Sequence, residues 1–133
     1  VSPMSFTKGK PKILQNSTQL EYGVLIGLSE GLDGRLVIKG NPAIFSTVGE
    51  KMFGMALEGE MLESFTGELG NMIAGNLSTI LATEGITIDI TAPTVLTDTT
   101  EINDIRKAIS LTISFQNNEN MELLLVTGTS RVL

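Results

Sequence analysis

The run Met61-Leu62-Glu63-Ser64-Phe65-Thr66-Gly67-Glu68-Leu69-Gly70-Asn71-Met72-Ile73-Ala74-Gly75-Asn76-Leu77-Ser78-Thr79-Ile80-Leu81-Ala82-Thr83-Glu84 decides how the rest of the chain is read. It follows a polar break at Glu58 to Glu60 and precedes Gly85, which suits a left-handed helix stop. At about 100° per residue, Leu62, Phe65, Leu69, Met72, Ile73, Leu77 and Ile80 share one broad sector. That predicts an amphipathic helix over 61–84 with this sector packed on a sheet. At ~1.5 Å per residue the helix is about 36 Å long, the dominant element of the domain. A second sector is narrow and polar. Ser64, Glu68, Asn71, Gly75 and Ser78 fall in it, at i, i+4, i+7, i+11 and i+14.

Gly67, Gly70 and Gly75 lie inside this helix, where each is unfavourable by up to ~1 kcal/mol relative to Ala. Gly67 and Gly75 flank the polar sector, so another backbone can come close there. The alternative is intramolecular, with a glycine letting the helix pack tightly on its neighbour, and it applies best to Gly70. Glu68 and Asn71 on one helix face are also what a plain solvated surface carries. They cannot form a two-carboxylate acid–base pair, because an amide does not titrate. An amide can hold a water, donating and accepting at once, and a carboxylate can grip a lysine.

Outward from the helix, Leu20, Tyr22, Val24, Ile26 and Leu28 alternate with other residues and predict a half-buried strand. Gly31 to Gly34 carries turn chemistry and Arg35 to Lys39 is the return strand, giving a hairpin over 20–39. Asn41 as cap and Pro42 at the first helical position open a helix over 41–56. Residues 1–19 show no sustained period and read as an arm, with or without a short edge strand. On the far side, Ile86, Ile88 and Ile90 alternate with Thr87, Asp89 and Thr91. Pro93 interrupts, and Thr94 to Thr97 continue as an edge strand. Ile109, Leu111, Ile113 and Phe115 mark the clearest strand. Met121 to Thr127 form the last strand of 86–127, apolar on both faces and therefore central. The expectation is an α+β domain spanning 1–133: a mainly antiparallel sheet packed against two consecutive helices, the second long.

Composition narrows the chemistry. The 133 residues include neither Cys nor His. Disulfides, thiol nucleophiles, thiolate metal sites and the commonest general base are therefore excluded. A net charge of −6 argues against nucleic acid as the main partner. Lys8, Lys10 and Lys12 form one basic cluster, read as part of a solvated arm. No apolar run approaches the ~20 residues of a membrane span. Val1-Ser2-Pro3-Met4 lacks the charged and apolar regions of a signal peptide.

The pattern Ser64-x-x-x-Glu68-x-x-Asn71-x-x-x-Gly75 resembles the signature of the CheX/CheC/FliY phosphatases of bacterial chemotaxis. The run from Gly67 to Asn76 is similar to the CheX branch in particular. The Gly27-Leu28 to Gly34 hairpin and Pro93-Thr94-Val95 also match, so the resemblance covers roughly residues 10–127. It implies a CheC-like fold and hydrolysis of the aspartyl phosphate of a CheY-type response regulator in the cytoplasm. Asn71 would orient the attacking water and Glu68 would engage a lysine of the regulator. Ser64, Gly67, Gly75 and Ser78 would belong to the surface that meets it. No cofactor or metal is expected on this chain, Mg²⁺ being carried by the phosphorylated partner. A homodimer with strand exchange is also implied. Two departures stand out. The family usually opens with an amphipathic helix, and nothing here reads as one. Thr97-Asp98 stands where the family often has a glycine turn.

An acyl phosphate is already activated, so a phosphatase need only deliver an oriented water. A ~100-fold gain requires only ~2.7 kcal/mol. Two other readings use the same helix face: a family descendant that binds a regulator or a flagellar switch component without hydrolysis, and a structural domain whose polar face meets only water.

Overall fold

The computed structural model describes residues 6–8, 12–115 and 120–127. In chain order these form β1 (Phe6–Lys8), β2 (Lys12–Leu20), β3 (Tyr22–Glu30), β4 (Gly34–Gly40), α1 (Pro42–Phe53), α2 (Glu60–Thr83), β5 (Ile88–Ile90), β6 (Thr94–Leu96), β7 (Thr100–Phe115) and β8 (Asn120–Thr127). All strands join one antiparallel sheet, in the order β1-β7-β8-β4-β3-β5. β2 shares the β7 edge with β1, and β6 shares the β3 edge with β5.

Both helices cover one face. Ile44, Phe45 and Val48 of α1 and Leu62, Phe65, Leu69 and Ala74 of α2 are buried with Tyr22, Val24, Ile26 and Leu28 of β3 and with Leu36 and Ile38 of β4. A smaller core of Leu20, Val37, Ile102, Leu124 and Val126 also forms. Val37 alternates with Leu36 and Ile38 along β4, so this core lies on the opposite face. β8 sits between β7 and β4, as its two apolar faces predict: Met121 joins the helix-side core, and Leu124 and Val126 the other.

Local signals set the helix ends. Asn41 Oδ1 accepts from the Ile44 N–H at 2.9 Å with Pro42 behind it, as expected. α1 stops at Phe53 rather than near Ala56, because Gly54 takes the left-handed conformation at φ +76° and its N–H closes on the Glu50 carbonyl. α2 ends as expected before Gly85 at φ +82°, whose N–H bonds the Ala82 carbonyl while the Ile86 N–H bonds that of Leu81.

Four more expectations are corrected. The hairpin begins at Tyr22 rather than Leu20, because Leu20 closes β2 and packs in the opposite core from Tyr22. The expected arm holds more than a short edge strand: β1 and the nine-residue β2 both pair with β7, with Lys8 and Lys12 in those strands; residues 1–5 and 9–11, Lys10 among them, lie outside the described residues. The strand read from Ile109 begins at Thr100 instead, because its first half pairs with β2. In the apolar sector of α2, Met72 is 50 % exposed and Ile80 61 % exposed, while the rest is buried or half-buried against the core. Met72 lies at the sector's edge on the wheel, and Ile80 lies past the last buried residue of the helix, Ala74.

Candidate site on the open face of the long helix

α2 is fixed to the sheet at its buried face, and that determines what its other face presents. A Cβ added at Gly70 would lie 3.0 Å from both Val24 methyl carbons and 3.2 Å from Ile26 Cδ1. Gly70 therefore lets the helix backbone settle directly on β3. Four residues earlier a buried polar clip acts. The Thr66 hydroxyl donates to the Leu62 carbonyl at 2.8 Å, so its oxygen is left to accept from the Tyr22 hydroxyl at 2.9 Å. The Tyr22 ring meets Phe45 edge-on at 5.1 Å. Burial raises the Tyr22 pKa above its ordinary value of 10.0; the Thr66 hydrogen bond works against the rise and Glu63 adds to it.

The opposite face carries the residues singled out from the sequence. Ser64 and Glu68 are exposed; Asn71, Gly75 and Ser78 are half-buried. On the wheel these five fall within about 80° of one another. Glu68 and Asn71 are three residues apart, which brings their Cβ atoms within about 6 Å. No hydrogen bond or ion pair to another described residue holds either side chain. The carboxylate and the amide are therefore displayed by a rigid backbone and remain available for outside contacts.

The glycines divide by environment. Gly75 has nothing within 4 Å of an added Cβ, so no neighbour within the fold requires glycine there. Gly67 departs from the expected surface set. It is buried, and a Cβ there would meet Val95 and Pro93 at 3.6 and 3.7 Å. It faces the segment that leads into β6, not open solvent. Asn71, one turn further on, accordingly sits where the open face of α2 borders that segment.

Beside Glu68, and not anticipated from the sequence, lies an apolar groove of about 490 Å³ between the end of α1 and the start of α2, with Ser64 and Glu68 on its rim. A signal for it was present: Met52, Met55, Met61 and Met72 crowd one stretch of chain, and all are exposed. A second, polar hollow of about 350 Å³ lies between strands around Lys39 and Glu122, which form an ion pair at 3.3 Å; no residue of α2 lines it. Among the described residues no group of three or more acidic side chains is placed to hold a metal ion. Among the described residues no helix is long and apolar enough to cross a membrane.

The family model of the chemotaxis phosphatase CheX matches residues 22–116. Chemotaxis protein CheX from Vibrio vulnificus superposes with a TM-score of 0.81 at 22 % identity, over 94 % of this chain and 87 % of that one. Chemotaxis protein CheX from Desulfovibrio desulfuricans gives 0.79 at 19 % identity, over 93 % and 87 %. A chain of the CheX–CheY–BeF3–Mg²⁺ complex from Borrelia burgdorferi gives 0.69 at 23 % identity, over 95 % and 84 %. At these identities the likeness is one of fold. No curated protein is a significant match.

Proposed function

From the premise that this chain belongs to the CheX family of chemotaxis phosphatases, we propose that it stimulates hydrolysis of the aspartyl phosphate of a CheY-type response regulator. The observation that carries this reading is the joint display of Glu68 and Asn71 on the open face of a rigidly mounted helix, with no partner inside the fold. The Borrelia complex of a CheX with a CheY, BeF3 and Mg²⁺ supports the partner class.

The helix face docks over the phosphorylated aspartate of the regulator. The Glu68 carboxylate pairs with a lysine of the regulator and sets the register, a charge-assisted contact that also fixes orientation. The Asn71 amide accepts a hydrogen bond from one water and donates to that water or to a phosphoryl oxygen, holding the water in line with the scissile P–O bond. Attack forms a bond from the water oxygen to phosphorus. The bond to the aspartyl oxygen breaks, the aspartate leaves as a carboxylate, and the water's protons pass to phosphate and solvent. Mg²⁺ and the groups that balance the phosphoryl charge belong to the regulator, so this chain contributes position. A single well-placed polar group supplies about 2–4 kcal/mol at such a site, enough for on the order of 100-fold. Gly75, a turn beyond Asn71, leaves room for the regulator's backbone to approach. The remaining parts of the reading, a cytoplasmic homodimer, rest on the family resemblance.

The test is decay of a phosphorylated CheY-type regulator with and without the protein. Asn71→Ala should remove the stimulation while leaving thermal stability within about 0.5 kcal/mol, as expected for a side chain outside the core. Stimulation that survives this substitution refutes the assignment.

A further inference from the structure

The open face of α2 is polar only in part. Met61, 53 % exposed, and Met72 stand to either side of Glu68 along it. Phe53 and Met55, at 60 % and 53 %, continue the apolar surface across the end of α1. Together with Leu57 and Phe65 they floor the groove beside the site. Exposed apolar residues scattered singly need no explanation, but a contiguous patch beside a proposed site marks a contact surface. Methionines suit such a surface because their side chains adapt to an incoming shape. The rim has its own order. Glu60, Ser64 and Glu68 lie at i, i+4 and i+8 on one ridge of α2, which spaces the two carboxylates by about 12 Å along the axis.

We infer that this groove receives an apolar side chain of the docked regulator, carried on a segment with basic residues to either side of it. The inference rests on the regulator reading above and adds a second contact to it. Ser64 and Glu68 belong to both the groove and the proposed face, so a partner that sets a lysine against Glu68 must also cover the groove. Glu60 then asks for a second cation about two turns away, and the floor between them asks for an apolar side chain. A second copy of this chain fits poorly. Its net charge is −6, and it would bring carboxylates toward an acidic rim. The division of labour follows: Glu68 and Asn71 act at the phosphate, while the groove selects which regulator remains bound.

The full-length protein is titrated with a CheY-type regulator loaded with beryllofluoride and Mg²⁺, so that affinity is read without hydrolysis. Met55→Ser and Phe53→Ser each weaken binding about tenfold. Phe53 also meets Phe65 edge-on at 5.7 Å, so Met55→Ser is the variant that leaves the fold least disturbed. Glu60→Lys weakens binding most at low salt, and the remote surface variant Ile109→Ser leaves it unchanged. Groove variants that bind as the wild type overturn the inference while the phosphatase reading stands. Groove variants that lose self-association but keep regulator affinity overturn it too, making the groove a face between copies. Weakened binding by the groove variants, with no stimulated decay by the wild type, supports the groove and defeats the phosphatase. A wild type that fails to bind the regulator defeats both.

Discussion

Gly75→Ala adds one methyl group at a helix position where nothing lies within 4 Å of the new carbon. Within the isolated protein the change should be favourable. A helix-interior glycine is less stable than alanine by about 0.8–1 kcal/mol, part of it from the freedom glycine retains in the unfolded chain. For a chain of this size, about 1 kcal/mol corresponds to a rise in Tm of roughly 2–5 °C. Docking should respond in the opposite direction. Gly75 stands one turn beyond Asn71 on the same face, so a methyl that holds the partner backbone off by ~1 Å would also displace the water, an error worth on the order of 100-fold in rate. Thermal unfolding by circular dichroism and decay of the phosphorylated regulator should therefore move apart: a more stable protein and a poorer phosphatase. A fall in Tm would mean that the face is occupied within the fold. A rise in Tm with unchanged stimulation would mean that no partner approaches at Gly75, and the docking geometry proposed above would be refuted.

Gly70→Ala should have the other sign. Its methyl would be forced against the fully buried, β-branched Val24; overpacking of about 1–3 kcal/mol outweighs the ~1 kcal/mol gain in helix propensity, and the urea midpoint should fall. At the buried clip, Tyr22→Phe removes a donor while Thr66 keeps its bond to Leu62, and should destabilise by about 0.5–1.5 kcal/mol. Thr66→Val strands the buried Tyr22 hydroxyl and should destabilise by about 1–3 kcal/mol, so equilibrium unfolding should rank the two in that order. Because the folded-state pKa of Tyr22 is raised, the native state holds this proton more tightly than the unfolded chain does. The associated stability is complete below pH 10 and is lost as pH rises through the folded-state value. Tyr22 is the single tyrosine and there is no tryptophan, so tyrosinate absorbance should report a midpoint above 10 from this site alone, and an ordinary midpoint would refute the burial argument.

The elements legible from sequence were those in which one physical signal acted without interference. β3 sets Tyr22, Val24, Ile26 and Leu28 at every second position, the Gly31 to Gly34 turn marks the return into β4, and α1 carries its own cap and first-turn proline. β2 and the first half of β7 were missed for a specific reason. Their pairing shifts register between Leu14 and Asn16 and again between Asn16 and Thr18. At each shift β2 advances two residues and β7 three, so the extra residue lies in β7 and breaks the two-residue period there, while in β2 the run Gln15 to Gln19 is polar throughout. Neither strand shows regular alternation alone, and only their mutual pairing makes them visible. Met72 and Ile80 failed differently. Met72 stands at the edge of the sector, so a small error in its width decides its exposure, whereas Ile80 shares the direction of the buried Leu62 and is left uncovered near the helix end, which a wheel does not report.

The site divides along the same line. Helix spacing alone gathered Ser64, Glu68, Asn71, Gly75 and Ser78, because their arrangement is local to one rigid element. What the spacing could not give was the environment of the glycines between them. Gly67, Gly70 and Gly75 look alike in the sequence, yet one passes under Pro93 and Val95, one rests on Val24 and Ile26, and one faces open space. Those are long-range facts, set by the return of β6 along β3 and by the position of α2 on the sheet. They also give each glycine a distinct job. The close approach at Gly70 seats the helix on the body of the protein, Gly67 passes beneath Pro93 and Val95 with room for a methyl group, and the seating at Gly70 makes the freedom at Gly75 useful. A carboxylate and an amide on a helix free to roll would lose their alignment with another protein's phosphoryl group. On a helix seated at Gly70 against β3, the docking proposed above would keep it.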